Sequence, residues 1–242
     1  MASASFPTAQ GFVAQLQANQ SDEELAKIGR YFKSGKGDYG EGDRFIGVRM
    51  GTVFALAKDH ADMPLDEIER LLESDIHEAR AGAVSIMAKQ FAGKKTTEER
   101  RGELAVLYLR RHDRINNWDL VDLGAPQIVG AWLRDRDRSV LYALARSENL
   151  WERRTAMFAT MAFVRKGDLE DAFAVAEILV HDPQDLINKV VGGVLRETGR
   201  TAPERLCGFL DRHADTMPRV ALRYAIEHFS GDERALWLKR GK

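Results

Sequence analysis

Nearly every stretch of this chain carries a helical pattern, and strand patterns are hard to find. Val and Ile are embedded in Ala, Leu, Glu and Arg, the residues that lose least on entering a helix. An all-α protein follows. The segment 22–33 shows the logic: Ser21 can cap, Glu23 and Glu24 suit the positive end of the helix, Leu25, Ile28 and Phe32 recur on one face, and Gly35 and Gly37 stop it. The same reading predicts helices near 7–18, 44–59, 65–73, 76–92, 97–112, 117–133, 137–146, 150–166, 168–180, 185–199, 202–213, 217–229 and 232–239, joined by short connections.

Comparison of the helix starts reveals a repeat. Arg80, Arg154 and Lys189 each stand in the first turn of a helix rich in Ala, Gly, Val and Met. The spacing from Arg80 to Arg154 is 74, two periods of 37 with the middle register at Asn117, and Lys189 and Arg223 follow after a further 35 and 34 residues. Periods of about 34–47 with two helices per unit mark helical solenoids, and without the fixed Trp, Gly, Tyr and Pro positions of a tetratricopeptide array a HEAT-like helical repeat solenoid, an α-α superhelix, is expected over 1–242 as one domain. Basic residues repeated at one point of successive units would form a stripe able to follow a phosphate backbone. The plainer alternative is that each sits on a solvated helix face. Cations at helix N-termini oppose the macrodipole unless an anion offsets them, which favours the stripe.

Charge supports only a local site. The net charge is −1, but residues 189–242 hold 11 basic and 7 acidic side chains, so this end is positive and the remainder negative. Cys207 is the only cysteine, which excludes an intrachain disulfide and a Cys-based zinc site and suits a reducing, cytoplasmic setting. The N-terminal residues lack a signal-peptide pattern, and no apolar run approaches the ~20 residues of a membrane span. The histidines, His60, His77, His112, His181, His213 and His228, show no metal-ligand spacing and read as surface or satisfied side chains. Gly35–Gly40 matches the dinucleotide fingerprint GxGxxG formally, but a helix precedes it and no βαβ unit surrounds it, so a mobile loop with Lys33 and Lys36 near phosphate is the better reading.

The stretch from Asn116 to Leu123 is the most informative. On a helix Trp118 and Asp122 share a face at i and i+4, whereas Asp119 points roughly 100° away. Capping by Asn116 or Asn117, a dipole role for Asp119 and a core role for Trp118 account for most of the segment. Asp122, in the second turn between Val121 and Leu123, is not explained that way.

The segments NNWDLVDL (116–123), NLWERRTAM (149–157), GGVLRE (192–197) and RYFKSG (30–35) resemble, in order and separation, the AlkD-like family of bacterial DNA alkylation repair glycosylases, which are HEAT-like α-solenoids. The resemblance runs from about Tyr31 to Phe229. It implies a DNA glycosylase that hydrolyses the N-glycosidic bond of cationic N3- or N7-alkylpurines in duplex DNA, acting as a monomer in a bacterial cytoplasm with no metal, cofactor or membrane. It also implies that the lesion need not be flipped into a closed pocket. Trp118 matches the family's active-site tryptophan, Asp122 its catalytic aspartate, Arg154 its phosphate-gripping arginine and Tyr31 a cleft tyrosine. The repeat register and the GGVLRE match add Arg80, Lys189 and Arg196 as DNA-binding residues. At Gly193 this chain lacks the aromatic residue of the family, which removes one wall of the cleft. A weak or inactive DNA-binding relative and a HEAT-like protein-binding scaffold therefore remain as alternatives.

Overall fold

Helix-forming sequence becomes helix almost throughout the computed structural model, which describes residues 7–240. Among the described residues the only extended pairing is a single bridge between Arg44 and Ile76. Within them no helix is long and apolar enough to cross a membrane. The chain forms two compact units that divide between Ile128 and Val129.

The first unit holds α1 (Ala9–Gln17), α2 (Asp22–Tyr31), α3 (Met50–Asp59), α4 (Leu65–Leu72), α5 (His77–Ala92), α6 (Glu98–Arg110) and α7 (Trp118–Gly124). Helix α5 is its hub and packs against α1, α3, α4, α6 and α7. Its small and branched residues are buried on nearly every side, as a central helix requires. Gly82 makes one of these packings possible, since a Cβ there would stand 2.3 Å from the ring of Phe12. Helix α4 shows the amphipathic alternative, burying Ile68, Leu71 and Leu72 while Asp66, Glu67 and Arg70 stay on the other side.

The expected helix over 44–59 begins only at Met50. Residues 44–49 are held out of the helix because the buried carboxylate of Glu78 accepts the backbone N–H groups of Ile46, Gly47 and Val48, at 3.1, 2.9 and 3.2 Å. Gly47 adopts φ +76°, and a Cβ there would lie 2.2 Å from the Ser21 carbonyl oxygen. The segment expected as one helix over 117–133 is continuous but changes character. After α7 comes a π-helical turn, Ala125–Gly130, and then α8 (Ala131–Leu133). Pro126 has no N–H to give to the Asp122 carbonyl, and the wider turn absorbs the defect. The GxGxxG segment is a string of turns after α2, with Gly37 at φ +83° and the Gly40 N–H bonded to the Lys33 carbonyl.

The second unit continues with α9 (Ser139–Ala145), α10 (Leu150–Ala159), α11 (Met161–Val164), α12 (Glu170–Leu179), α13 (Asp185–Thr201), α14 (Pro203–His213), α15 (Arg219–Ala225) and α16 (Gly231–Lys239). The helix expected over 150–166 is interrupted at Thr160, whose hydroxyl donates to the Met157 carbonyl at 2.6 Å. Helix α13 is the organising element here and packs against α10, α12, α14 and α15. Its packing on α15 uses Gly192, where a Cβ would lie 2.4 Å from the Ala221 carbonyl oxygen.

Candidate active site

Helix α7 starts where Asn117 caps it. The Asn117 Oδ1 accepts the Trp118 N–H at 2.8 Å, and its Nδ2 donates to Asp43 Oδ2 at 2.7 Å. The cap therefore joins the start of α7 to the chain entering the 44–49 segment, and it directs Trp118 and Asp122 to a common cavity of about 410 Å³. Ile28, Phe32, Met50, Phe54 and Leu123 supply its apolar walls. Tyr31, Trp118, Asp119 and Asp122 complete it.

Phe32 lies face to face with Trp118, ring centroids 5.3 Å apart and planes 17° from parallel. The ring of Phe32 also packs on Phe45 and on His77, and Phe45 packs on His77 at 4.5 Å. Sequence reasoning took Tyr31 from the RYFKSG segment. Tyr31 does line the cavity, largely exposed at its edge, while its neighbour Phe32 backs the indole.

Behind the aromatic residues runs a buried polar chain that sequence reasoning missed. His77, the first residue of α5, places Nδ1 3.2 Å from Asp43 Oδ2 and Nε2 2.8 Å from Asp119 Oδ2. Each ring nitrogen faces a carboxylate oxygen, an arrangement that only the doubly protonated imidazolium satisfies at both ends. Burial alone would push the His77 pKa down, but the hydrogen bonds and charges of Asp119 and Asp43 outweigh it and hold the group up to about 9. Burial likewise works to raise the Asp43 pKa. The His77 hydrogen bond, the Arg80 charge and the Asn117 amide outweigh that effect and hold the carboxyl below its ordinary range. The signal that could have found this chain is the cluster His77, Glu78 and Arg80 within one turn of a helix otherwise made of core residues, because buried polar groups require partners.

Two sequence expectations change here. Arg80 is buried, and its guanidinium bonds the Asp43 carboxylate and the carbonyls of Ser74 and Asp75. It faces the interior and is not placed as a phosphate contact. The middle register of the repeat also shifts: Asn117 precedes α7 as its cap, so Asp122 occupies the fifth position of α7, as Arg154, Lys189 and Arg223 do in α10, α13 and α15.

In the second unit, Arg154 is mostly buried and its Nη1 donates to the Leu186 carbonyl at 2.8 Å. Lys189 pairs with Asp185 at 2.7 Å. Arg196 pairs with Glu197 and Glu227, chiefly with the latter, which raises its pKa. The anion that offsets a cation near a helix start is thus supplied by the protein itself at Arg80 and Lys189. Around Gly193 there is open space, with no heavy atom within 4 Å of where a Cβ would stand.

The family model described as DNA alkylation repair enzyme matches residues 12–229. The chain belongs to this family. Among solved structures, a predicted DNA alkylation repair enzyme from Enterococcus faecalis is 18% identical to this chain, with a TM-score of 0.68 over 88% of this chain and 98% of the other. AlkD2 from Streptococcus mutans is 17% identical, with a TM-score of 0.52 over 91% of this chain and 98% of its own. At these identities the likeness establishes the all-α helical-repeat fold that this alkylation repair family member shares with them. No curated protein matches its sequence.

Proposed function

We propose that this DNA alkylation repair family member is a DNA glycosylase that releases cationic N3- or N7-alkylpurines from duplex DNA. The observation that carries the reading is the meeting of the Trp118 indole and the Asp122 carboxylate on one largely apolar cavity. An alkylated purine already bears positive charge, so it departs as a neutral base when the bond from C1′ to nitrogen breaks and the electron pair moves onto the base. Positive charge then builds on the deoxyribose. A carboxylate about 4 Å from that charge attracts it by ~4 kcal/mol at an effective dielectric near 20, and a preorganised group of this kind commonly contributes 10²–10³ in rate. Asp122 also orients the water that adds to C1′ and gives up its proton, leaving an abasic sugar. The Trp118 face adds roughly 0.5–2 kcal/mol of cation–π attraction, and the stacked Phe32 fixes its plane. Arg154, Lys189 and Arg196 serve as phosphate contacts in this reading, Arg154 through a bidentate grip.

One observation favours a second reading, a DNA-binding relative with weak or no excision: Gly193 presents no side chain where the resemblance expects an aromatic wall. The deciding experiment is incubation with duplex containing 7-methylguanine, scoring free base by chromatography. Release above the spontaneous rate supports the glycosylase. Salt-dependent duplex binding without such release supports the second reading, and binding that ignores salt overturns both in favour of a protein scaffold.

A further inference from the structure

Almost every arginine of α13, α14 and α15 is satisfied from within the second unit. Arg196 pairs with Glu227, Arg200 with Glu197, Arg205 with Glu170 and Arg212 with Glu177, and Arg219 donates to the carbonyls of Leu238 and Arg240. Arg223 differs. It is exposed, and its guanidinium has neither a hydrogen bond nor an ion pair among the described residues. Glu227, the acid nearest to it in sequence, is diverted, because the packing of α13 on α15 brings Arg196 to that carboxylate. The fold thus leaves a rigid fork of N–H donors facing water.

Tyr224 beside it is in the same condition. It is 38% exposed, and its hydroxyl has no partner among the described residues. Its side chain leaves α15 next to Gly192, where a Cβ would stand 2.6 Å from Tyr224 Cβ, and Gly193 adds no side chain to cover it. An accessible cationic fork next to an accessible phenol donor suits an anion with several acceptor oxygens, and a phosphodiester is such a group.

We propose that Arg223 and Tyr224 form a contact for the sugar-phosphate backbone of duplex DNA, Arg223 pairing with a phosphate and the Tyr224 hydroxyl donating to the same strand. Arg223 holds the fifth position of α15, as Arg154 and Lys189 do in α10 and α13, so it continues that series by one repeat. Lys189 shares its charge with Asp185 and Arg154 gives a donor to the Leu186 carbonyl, whereas Arg223 takes a phosphate without surrendering a protein partner. Such a contact positions the duplex and reads no base, so it asks for no extrusion of the lesion. It rests on the duplex-binding part of the reading above and is independent of excision.

Fluorescence anisotropy of the full chain on undamaged duplex over a series of salt concentrations tests this. Arg223→Gln is expected to lower the slope of log affinity against log salt by about 1 and to weaken binding roughly tenfold at 0.1 M salt. Tyr224→Phe keeps the ring and loses the donor, so binding is expected to weaken about threefold with the slope unchanged. Lys94→Gln is the control: Lys94 is an exposed lysine of the first unit, equally without a partner among the described residues, and its loss is expected to leave the slope in place. All three side chains are exposed, so thermal midpoints are expected to stay at the wild-type value, which separates a lost contact from a lost fold.

An unchanged slope in Arg223→Gln, or an equal fall in Lys94→Gln, overturns the contact at Arg223, and unchanged affinity in Tyr224→Phe overturns the part given to Tyr224. Wild-type binding that ignores salt overturns the whole proposal. A wild type that releases 7-methylguanine while its salt slope ignores Arg223 removes this inference alone. A wild type whose duplex binding depends on Arg223 but which releases nothing removes the glycosylase reading alone.

Discussion

His77 and Asp119 lie 42 residues apart in sequence and 2.8 Å apart in space, joined by a buried hydrogen bond between a ring nitrogen and a carboxylate oxygen. That contact ties the start of α5 to the start of α7. Because Asp43 takes the other ring nitrogen and also receives Arg80 and Asn117, two cations and two carboxylates alternate along one buried line behind Trp118. The line is electrically balanced, which is the condition under which charges are tolerated in an interior.

The balance depends on pH. The folded-state pKa of His77, about 9, stands above its ordinary value of 6.5, so its contribution is fully present below pH 6.5 and is lost as pH rises through 9. The full effect is at most roughly 3.5 kcal/mol, from ~1.4 kcal/mol per unit. Asp43 acts at the other end, since its carboxyl is held low and its contribution disappears as pH falls through that depressed value. Urea unfolding at a series of pH values is expected to show stability declining between pH 7 and 10. In His77→Gln this alkaline decline is expected to flatten.

Arg80 and the cations of the second unit are expected to behave in opposite ways. Arg80→Ala strips the partner from a buried carboxylate and is expected to cost about 3–5 kcal/mol in chemical denaturation. It leaves the salt dependence of duplex binding unchanged in whatever fraction folds. Arg154→Ala, Lys189→Ala and Arg196→Ala each are expected to reduce the slope of log affinity against log salt by about 1. A reduced slope in a folded Arg80→Ala protein contradicts the interior placement.

Asp122→Asn keeps the side-chain shape and removes its charge. Excision is expected to fall by ~10²-fold or more, while duplex affinity holds or rises slightly as a repelling carboxylate disappears. Trp118→Ala is expected to lower both, because it removes packing against Phe32 along with a π face. Equal single-turnover rates for wild type and Asp122→Asn would leave that carboxylate without a chemical role.

Two adjacent glycines in α13 are expected to respond with opposite signs. Gly193→Ala meets no neighbour and is expected to stabilise by about 0.8–1 kcal/mol through helix propensity. Gly192→Ala drives a methyl group into the Ala221 carbonyl and is expected to destabilise the packing of α13 on α15. Thermal melts of the two variants compare them directly. Gly193→Trp, whose Cβ meets no neighbouring element, is expected to raise excision by restoring an aromatic wall.

The helices were legible because their causes are local. Ser21 does cap α2, Asn117 does cap α7, and the i, i+4 spacing of Trp118 and Asp122 does bring both to one cavity. Where the reading erred, the cause was a partner far along the chain. Residues 44–49 carry a helical pattern, yet the Glu78 carboxylate, about 30 residues away, takes the N–H groups of Ile46, Gly47 and Val48 and keeps the segment out of the helix.

What the sequence by itself determined is the all-α class, the order of the helices and the shared face of Trp118 and Asp122, all of which follow from periodicity and capping within a few residues. Only the tertiary structure decided that Arg80 turns inward to Asp43, that Phe32 backs the indole and that Asp119 joins His77 at the cavity. A side chain's local pattern says which groups it can pair with. Desolvation selects the partner: once α5 and α7 exclude water from this region, each buried charge must find its complement among segments that chain distance kept apart.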